Sequence, residues 1–338
     1  MTDTSSRRQL GCTIEQWPFA VPFRITGHTW TMLDMVVVTI AEGGYVGRGE
    51  GEGVYYRDDT PPGMARQIEA ARGAIEAGAG REEIARILPP GGARNAVDCA
   101  LWDLEAKLAG QPAWRLAGLQ PPRPLVTTYT IGADPPAIAA ERAVSERFAA
   151  ARAIKLKLVG EPEDAERVKA VRAARPDVGL TVDANQGYGS RTALEALAQI
   201  LVDAKVELVE QPFPVGQEAL LDGLDFPIDI AADESVQVAA DIAALAGRVD
   251  MINIKLDKCG GLTEALAMLA EIERLGLKAM VGNMFGTSLA MGPAFLVGQS
   301  CQVVDLDGPI GLADDRPPAV SYDGGRIWCA PEAWGGGA

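Results

Sequence analysis

The sequence has a single histidine, His28, among its 338 residues. This count excludes a multi-histidine zinc site and argues against a serine–histidine triad or a histidine–aspartate base. If the protein transfers protons, then lysine, carboxylate, tyrosine or cysteine side chains must act as the acid and the base.

Metal-binding cysteine pairs and long apolar runs are missing as well. No stretch is both apolar and long enough for a signal peptide or a membrane span. The cysteines are odd in number and lack metal-ligand spacing, which indicates reduced thiols in a cytoplasmic protein. They are Cys12, Cys99, Cys259, Cys301 and Cys329.

Basic residues are fewer than acidic ones, and the formal net charge is −15. That charge argues against nucleic acid or an anionic membrane surface as a partner. The 48% hydrophobic composition is ordinary for a globular protein of one or two domains. We therefore expect a small-molecule ligand. The oligomeric state stays open, and a homo-oligomer is compatible with the sequence.

The first 120 residues predict a small α+β domain. Segments rich in apolar and β-branched residues predict a three-stranded meander, and helical spacing of apolar residues begins after the proline pair at 61–62. A segment with three prolines, 118–124, marks a boundary. The expected strands are 10–25, 31–41 and 44–50, and the expected helices are 63–78, 81–88 and 92–110.

Residues 121–310 alternate between short apolar segments and Ala/Glu/Arg-rich helical segments such as 161–174, 190–203 and 263–275. Alternation of this length favours a (β/α)7β TIM-type barrel with seven full helices between its strands. An open doubly wound sheet would usually carry a glycine-rich turn after its first strand, and none follows 125–131. The expected strands are 125–131, 153–158, 179–184, 206–210, 228–233, 251–256, 278–283 and 302–306.

Only about thirty residues follow the eighth predicted strand, and they are rich in proline and glycine. A full eighth helix does not fit in this segment. We therefore expect the C-terminal tail, residues 311–338, to fold back over the N-terminal domain.

Charged residues stand near the C-terminal ends of five of these strands. A barrel would direct all of them to one mouth. An aspartate at a strand end is often only a helix cap, but three successive carboxylates are harder to explain that way. Together they would repel one another unless they bound a hard divalent cation such as Mg²⁺. Asn185 is either an outer-shell partner of this site or a plain loop residue, and Asp257 either orients or pairs with Lys255 or faces solvent. The charged residues are Lys155, Lys157, Asp183, Glu210, Asp233 and Lys255.

The lysines occupy positions where strands are usually poor in lysine. Alternation puts Lys155 and Lys157 on one strand face, which a barrel would turn toward its lumen. Neighbouring ammonium groups and partial burial are expected to lower the pKa of each lysine toward the range of a base. Lys255 would lie across the barrel, so one lysine could remove a proton α to a carboxylate and the opposite lysine could return one.

These motifs resemble those of the enolase superfamily, muconate-lactonizing subgroup. That subgroup carries Lys-x-Lys on the second barrel strand, Asp, Glu and Asp on the third to fifth strands, and Lys-x-Asp on the sixth. Residues 93–104 are similar to the helix that joins its capping domain to the barrel. The similarity extends over almost the whole chain, and it implies that residues 1–120 form a capping domain.

The resemblance also implies roles for the charged residues. Lys157 and Lys255 would be the acid and base of an isomerase, and Lys155 would adjust Lys157 and contact the substrate carboxylate. One Mg²⁺ per active site would be bound by the three carboxylates. These metal ligands are Asp183, Glu210 and Asp233.

The eighth strand ends in Asp305-Leu306-Asp307, which resembles the motif with which dipeptide epimerases bind the α-ammonium group. Two carboxylates are natural partners for a cationic amine, although Asp-Gly-Pro is also a turn sequence. N-acylamino acid racemases, o-succinylbenzoate synthases and cycloisomerases of the same subgroup are the alternative. A barrel that binds or regulates without catalysis is a more distant one.

The first cap loop departs from the family pattern. Epimerases that act on Ala-Glu have an arginine there, and this sequence has His28 and Trp30 in the aligned stretch, with Arg24 close to the strand. Tyr55 lies in the other loop expected to close the site. We therefore expect an L-Ala-L-Xaa substrate, and the sequence supports an apolar or aromatic second residue at least as well as glutamate.

Overall fold

The computed structural model describes residues 8–25 and 28–336. Three segments lie outside the described residues: 1–7 in the predicted cap domain, 26–27 in the first cap loop, and 337–338 in the predicted tail.

The N-terminal part is an antiparallel sheet with helices packed against it, as predicted. Strand order is β1-β2-β3. Thr60 begins the first helix because its side-chain oxygen accepts the Gly63 N–H, and prolines occupy the first helical turn. The elements are β1 (Gln9–Ile25), β2 (His28–Glu42), β3 (Tyr45–Gly51), α1 (Pro61–Glu76), α2 (Arg81–Ile87) and α3 (Gly92–Ala109).

Helix α3 lies very close to strand β3. Glycines on one face of this strand make the approach feasible: a Cβ on Gly47 would be 2.1 Å from the Ala100 carbonyl oxygen, and one on Gly49 would be 2.0 Å from the Ala96 carbonyl oxygen. Any larger side chain at these positions would push the helix away from the sheet. The cap sheet is thereby held against the helix that also contacts the barrel.

Eight parallel strands form one sheet that curves almost into a closed barrel, which confirms the predicted fold class. A two-residue strand, β4 (Leu125–Val126), precedes it, and the helix α4 (Ala113–Leu116) precedes β4. The barrel strands are β5 (Thr128–Ile131), β6 (Ala153–Lys157), β7 (Gly179–Asp183), β8 (Val206–Glu210), β9 (Asp229–Ala232), β10 (Met251–Lys255), β11 (Lys278–Gly282) and β12 (Val303–Val304). The helices between them are α5 (Pro136–Ala143), α6 (Glu163–Ala174), α7 (Arg191–Asp203), α8 (Ala239–Ile242), α9 (Leu256–Cys259), α10 (Leu262–Leu275) and α11 (Ser288–Gly298).

The expectation of seven full helices is wrong at two connections. Between β8 and β9 the chain forms only a 3-10 turn at Glu218–Leu221, and between β9 and β10 it forms the four-residue α8 and a 3-10 turn at Ala243–Leu245. In the first case, prolines and glycines interrupt the segment, and neither residue supports a helix interior.

Alternation along the barrel strands separates an apolar outside from a functional inside. In β6, Ile154 and Leu156 belong to the core that packs against the helices, whereas Lys155 and Lys157, which alternate with them, face the lumen. A separate apolar cluster fills the lower lumen. Charged groups are therefore confined to the upper layer, where the strands end. The lower cluster consists of Leu208, Ala231, Met251 and Met280.

Side chains bridge the gap between the first and eighth barrel strands. In the described chain, no backbone ladder joins β12 to β5. Instead, Asp307 Oδ2 accepts the Thr130 N–H (2.6 Å), Thr127 Oγ1 accepts the Leu306 N–H (2.9 Å), and Asp305 accepts the Thr128 hydroxyl. Asp305 and Asp307 thus contribute to barrel closure.

The C-terminal tail contacts the cap. The chain after β12 contains the four-residue α12 (Gly308–Gly311), β13 (Ser321–Asp323) and β14 (Arg326–Trp328), and β14 pairs with β4. Beyond them, the Trp334 indole N–H donates to the Arg48 carbonyl oxygen at 3.0 Å. The predicted domain boundaries at 120 and 310 stay predictions. Within the described residues, no helix has the length and apolarity needed to cross a membrane.

Asp103 joins three parts of the molecule, and its loss should destabilise the protein. Its buried carboxylate accepts the N–H groups of Arg48 in the cap sheet (2.8 Å) and Gly335 in the tail (2.9 Å), and it pairs with Lys107. Because Asp103→Ala leaves buried donors unpaired, we expect the free energy of unfolding to fall by about 2–4 kcal/mol in urea titrations. Glu166→Ala, at an exposed ion pair, should change it by less than about 1 kcal/mol. Equal effects of the two variants would contradict this role.

Candidate active site

A cavity of about 320 Å³ opens at the C-terminal ends of the barrel strands, beneath the cap. Strand ends supply its charged floor, and the cap supplies much of an aromatic wall. Of the residues predicted from the sequence, the wall contains Lys155, Lys157, Lys255, Asp233, Asn185, Asp305, Asp307, Trp30 and Tyr55. Asp183 and Glu210 lie behind the wall, where they contact Lys157 and Lys155. His28 and Asp257 also lie outside the wall.

Asp183, Glu210 and Asp233 come together at the C-terminal ends of three adjacent strands, where Asp233 directly follows β9. One oxygen of each lies within 4.8 Å of the others, and all three residues are buried. Burial and the charge of Asp183 raise the pKa of Glu210 to about 8. Glu210 Oε2 accepts no hydrogen bond within the described residues. Three buried carboxylates with an oxygen left over fit a hard divalent cation such as Mg²⁺.

The predicted acid–base lysines each contact one member of this cluster. Lys157 Nζ is 2.6 Å from Asp183 Oδ2, and Lys255 Nζ is 2.6 Å from Asp233 Oδ2. They end β6 and β10, the second and sixth barrel strands, and therefore approach the cluster from opposite sides. This arrangement offers an ammonium or amine group on either face of a ligand that lies over the carboxylates.

The expectation of a lowered pKa is wrong for Lys155 and Lys255. Burial lowers the pKa of both, but carboxylates outweigh it: Asp305 and Glu210 raise the pKa of Lys155, and Asp233 and Glu210 raise that of Lys255. The sequence showed the neighbouring ammonium groups but not how closely each would pair with a buried carboxylate. A bound dication would offset the negative charge that stabilises these ammonium groups.

Asn185 and Asp257 occupy different parts of the structure. Asn185 lies two residues after the end of β7, and its N–H donates to Asp183 Oδ1 at 2.8 Å. Asp257 points toward the cap, where its Oδ1 accepts the N–H of Glu52 (3.0 Å) and the amide of Asn95 (2.8 Å). Asp257 thus attaches the cap next to Lys255, and Asn185 contacts a metal-ligand candidate.

Two residues that contact the carboxylate cluster were not predicted from the sequence. Asn253 Nδ2 donates to Glu210 Oε1 at 2.6 Å, and Lys258 Nζ lies 2.6 Å from Asp233 Oδ1. Asn253 could have been predicted from the sequence. It lies two residues before Lys255 in the same strand, so its side chain faces the lumen as that of Lys255 does. Lys258 offered no comparable signal, since it lies in the helical turn after the strand.

Asp305 and Asp307 line the cavity beside Lys155. Asp305 forms an ion pair with Lys155, and both aspartates also take part in barrel closure. Burial and the charge of Asp305 raise the pKa of Asp307 to about 6. The pair therefore presents carboxylates to the cavity while its other contacts keep them in place.

Aromatic rings form the cap side of the cavity. The Trp30 ring centroid lies 5.3 Å from that of Tyr55 and 5.9 Å from that of Phe285. His28 packs against Trp30, with ring centroids 4.1 Å apart, and is exposed. On the barrel side, Arg147 also lines the cavity. The aromatic rings make the wall around the opening largely apolar. The roles of His28, Trp30 and Tyr55 in substrate specificity stay predictions.

Mg²⁺ binding should weaken as the pH falls below the pKa of Glu210. A proton on this carboxyl competes with the cation, so binding must release it below about pH 8, whereas little release is expected above that pH. Isothermal titration at about pH 6.5 and about pH 9, in buffers of different ionisation enthalpy, measures affinity and proton release together. Equal affinity at both pH values, or no proton release at the lower one, would contradict the raised pKa.

Comparison with known proteins agrees with this geometry. Residues 8–118 match the mandelate racemase / muconate lactonizing enzyme N-terminal domain, and residues 137–335 match the enolase C-terminal domain-like family. The L-Ala-D/L-Glu epimerase of Escherichia coli strain K12 is 38% identical over 313 residues, which cover 93% of this chain and 97% of that protein.

Two solved structures are similar over almost the whole chain. An enolase family member from Agrobacterium tumefaciens with homology to dipeptide epimerases, solved with sodium and L-Ala-L-Glu, is 43% identical with a TM-score of 0.93, covering 97% of this chain and 100% of that one. The dipeptide epimerase of Enterococcus faecalis V583, complexed with Mg and L-Leu-L-Tyr, is 30% identical with a TM-score of 0.89, covering 98% of each chain. The chain therefore belongs to the enolase superfamily and to its mandelate racemase / muconate lactonizing enzyme family, as a dipeptide epimerase.

Proposed function

We propose that this Mg²⁺-dependent epimerase inverts the α-carbon of the second residue in an L-Ala-L-Xaa type dipeptide. The main support for the proposal is that Lys157 and Lys255 lie on opposite sides of the carboxylate cluster. A 1,1-proton transfer needs one group to remove the α-proton and another to return a proton from the opposite face. When bound, the cation would stabilise the negative charge that develops on the substrate carboxylate.

The metal would be held by Asp183, Glu210 and Asp233, whose oxygens already converge. Lys155 lies 3.5 Å from Glu210 Oε2, between the metal ligands and Asp305, and would contact the substrate carboxylate next to the cation. The amine form of either Lys157 or Lys255 would accept the α-proton, and the ammonium form of the other would supply the new one.

Asp305 and Asp307 would bind the α-ammonium group of the dipeptide. Both line the cavity next to Lys155. An ammonium group bound there would belong to the first residue of the dipeptide, and the reacting α-carbon would belong to the second. An N-acylated amino acid has no such charge, so Lys155 alone would have to balance both buried carboxylates. This pair therefore favours a dipeptide over the N-acylamino acid substrates of the alternative reactions.

The second residue of the substrate is proposed to be apolar or aromatic. Trp30, Tyr55 and Phe285 surround the cap side of the cavity. Rings at these distances favour an apolar or aromatic partner. Of the similar structures, one contains L-Ala-L-Glu and another contains L-Leu-L-Tyr, so both kinds of side chain occur among relatives. A cytoplasmic location and a homo-oligomeric state stay predictions.

A pooled L-Ala-L-Xaa library incubated in D₂O with Mg²⁺ tests reaction and specificity together. Each dipeptide that the enzyme epimerises should gain one deuterium at the α-carbon. Mass spectrometry should therefore show the fastest gain for apolar or aromatic second residues. The fastest gain for L-Ala-L-Glu would contradict the proposed specificity, and no gain for any dipeptide would contradict the proposed function.

The variant Asp305→Asn/Asp307→Asn separates the two substrate classes in the same assay. It should lose at least about 10-fold in kcat/KM on the best dipeptide, because it removes both carboxylates offered to the ammonium group. Circular dichroism should be compared with wild type, since both residues also bridge the barrel. Undiminished dipeptide turnover by a folded double variant would favour the N-acylamino acid alternative.

A further inference from the structure

Lys258 is a charged residue with a wholly buried side chain. Its side-chain exposure is 0%, and it is among the largest fully buried side chains of the described protein. A buried ammonium costs several kcal/mol unless its charge and its donors are satisfied. The contacts of Lys258 must therefore compensate for the free-energy cost of burying its charge.

The Lys258 ammonium group is directed at Asp233 and the backbone around it. Nζ lies 2.6 Å from Asp233 Oδ1 and 2.5 Å from the carbonyl oxygen of Asp233. It also reaches the carbonyl oxygens of Val236 (3.1 Å) and Asn253 (3.2 Å). Lys258 thus holds both the side chain and the backbone of one metal-ligand candidate, and connects it to the strand that carries Lys255.

The other two carboxylates show the same division of their oxygens. Asp183 Oδ1 accepts the Asn185 N–H, and Glu210 Oε1 accepts the Asn253 amide. In each case a group that takes no part in proton transfer holds one oxygen. At Asp233, Lys255 occupies Oδ2, so Lys258 is the group that holds Oδ1.

We propose that Lys258 is a positioning residue, which fixes Asp233 through Oδ1 and so leaves Oδ2, the oxygen that Lys255 contacts, as the one that would bind the metal. The proposal rests on the metal site proposed above. Without Lys258, Lys255 would be the only cation among the described residues in contact with Asp233, and the carboxylate could turn either oxygen toward it. The metal would then lose a ligand of fixed orientation.

A purely structural cation elsewhere in the barrel provides the matched control. Arg175 donates to the carbonyl oxygens of Ala143, Phe148 and Ala151, and its only described ion pair is with Asp177. It satisfies backbone groups as Lys258 does but contacts no carboxylate of the site. Loss of stability alone is expected for Arg175→Met, whereas Lys258→Met should also change metal binding.

The test is Mg²⁺ titration by isothermal calorimetry of wild type, Lys258→Met, Arg175→Met and Glu210→Gln, with thermal unfolding of each metal-free protein. Lys258→Met should weaken Mg²⁺ binding by about 10- to 100-fold, the range typical of groups that orient metal ligands. Arg175→Met should lower the melting temperature without a change in Mg²⁺ affinity. If Lys258→Met does not fold, Lys258→Gln keeps two N–H donors on a shorter and uncharged side chain, and it should weaken Mg²⁺ binding in the same direction but less strongly.

The outcomes separate this proposal from the metal site itself. Removal of a positive charge alone would tighten Mg²⁺ binding, so unchanged or tighter binding by the Lys258 variant would overturn the positioning role. If wild type bound no Mg²⁺, or if Glu210→Gln bound it as well as wild type does, the proposed metal site would fail instead.

Discussion

Pairing of buried ammonium and carboxylate groups at the mouth of the barrel is the constraint on which the rest of the structure depends. Charges of either sign are costly here unless an opposite charge lies in contact. Lys157 pairs with Asp183, Lys255 with Asp233, and Lys155 with Asp305. The apolar cluster below confines these charges to the upper layer of the lumen. The mouth of the barrel thus carries a compact set of paired charges. A bound metal would compete with the lysines for the carboxylates, and a substrate carboxylate would compete with these carboxylates for the lysines.

The cap depends on the same layer for its position. Asp257, two residues after Lys255, accepts the Glu52 N–H, and Glu50 accepts both the N–H and the hydroxyl of Thr287 at the start of α11. Arg316 in the tail lies 3.3 Å from Glu50 Oε2. Cap, barrel and tail therefore meet around buried carboxylates beside the active site. The cap's aromatic residues are placed over the lysines by contacts that do not involve the substrate.

Sequence periodicity predicted the parts that depend on local pattern. Alternation in β6 was enough to direct Lys155 and Lys157 into the lumen, and the order of strands brought the three carboxylates together. Contacts between distant segments were not predictable in this way. Lys258 follows a strand without any periodic signal, and the pKa of Lys255 depends on a distance to Asp233 that no spacing encodes. The barrel-closing contacts of Asp305 and Asp307 were likewise hidden, because they depend on the first strand lying beside the eighth.

The central claim is that two lysines act on opposite faces of the same α-carbon. The most direct test follows α-proton exchange by NMR in D₂O with Mg²⁺, starting separately from the L,L and L,D forms of a substrate dipeptide. Lys157→Ala should exchange only one of the two stereoisomers and Lys255→Ala only the other, because each variant keeps one base. Neither should epimerise at a measurable rate, whereas Lys169→Ala, at an exposed ion pair, should match wild type. Exchange of both stereoisomers by either active-site variant, or full epimerisation by either, would contradict the two-base account.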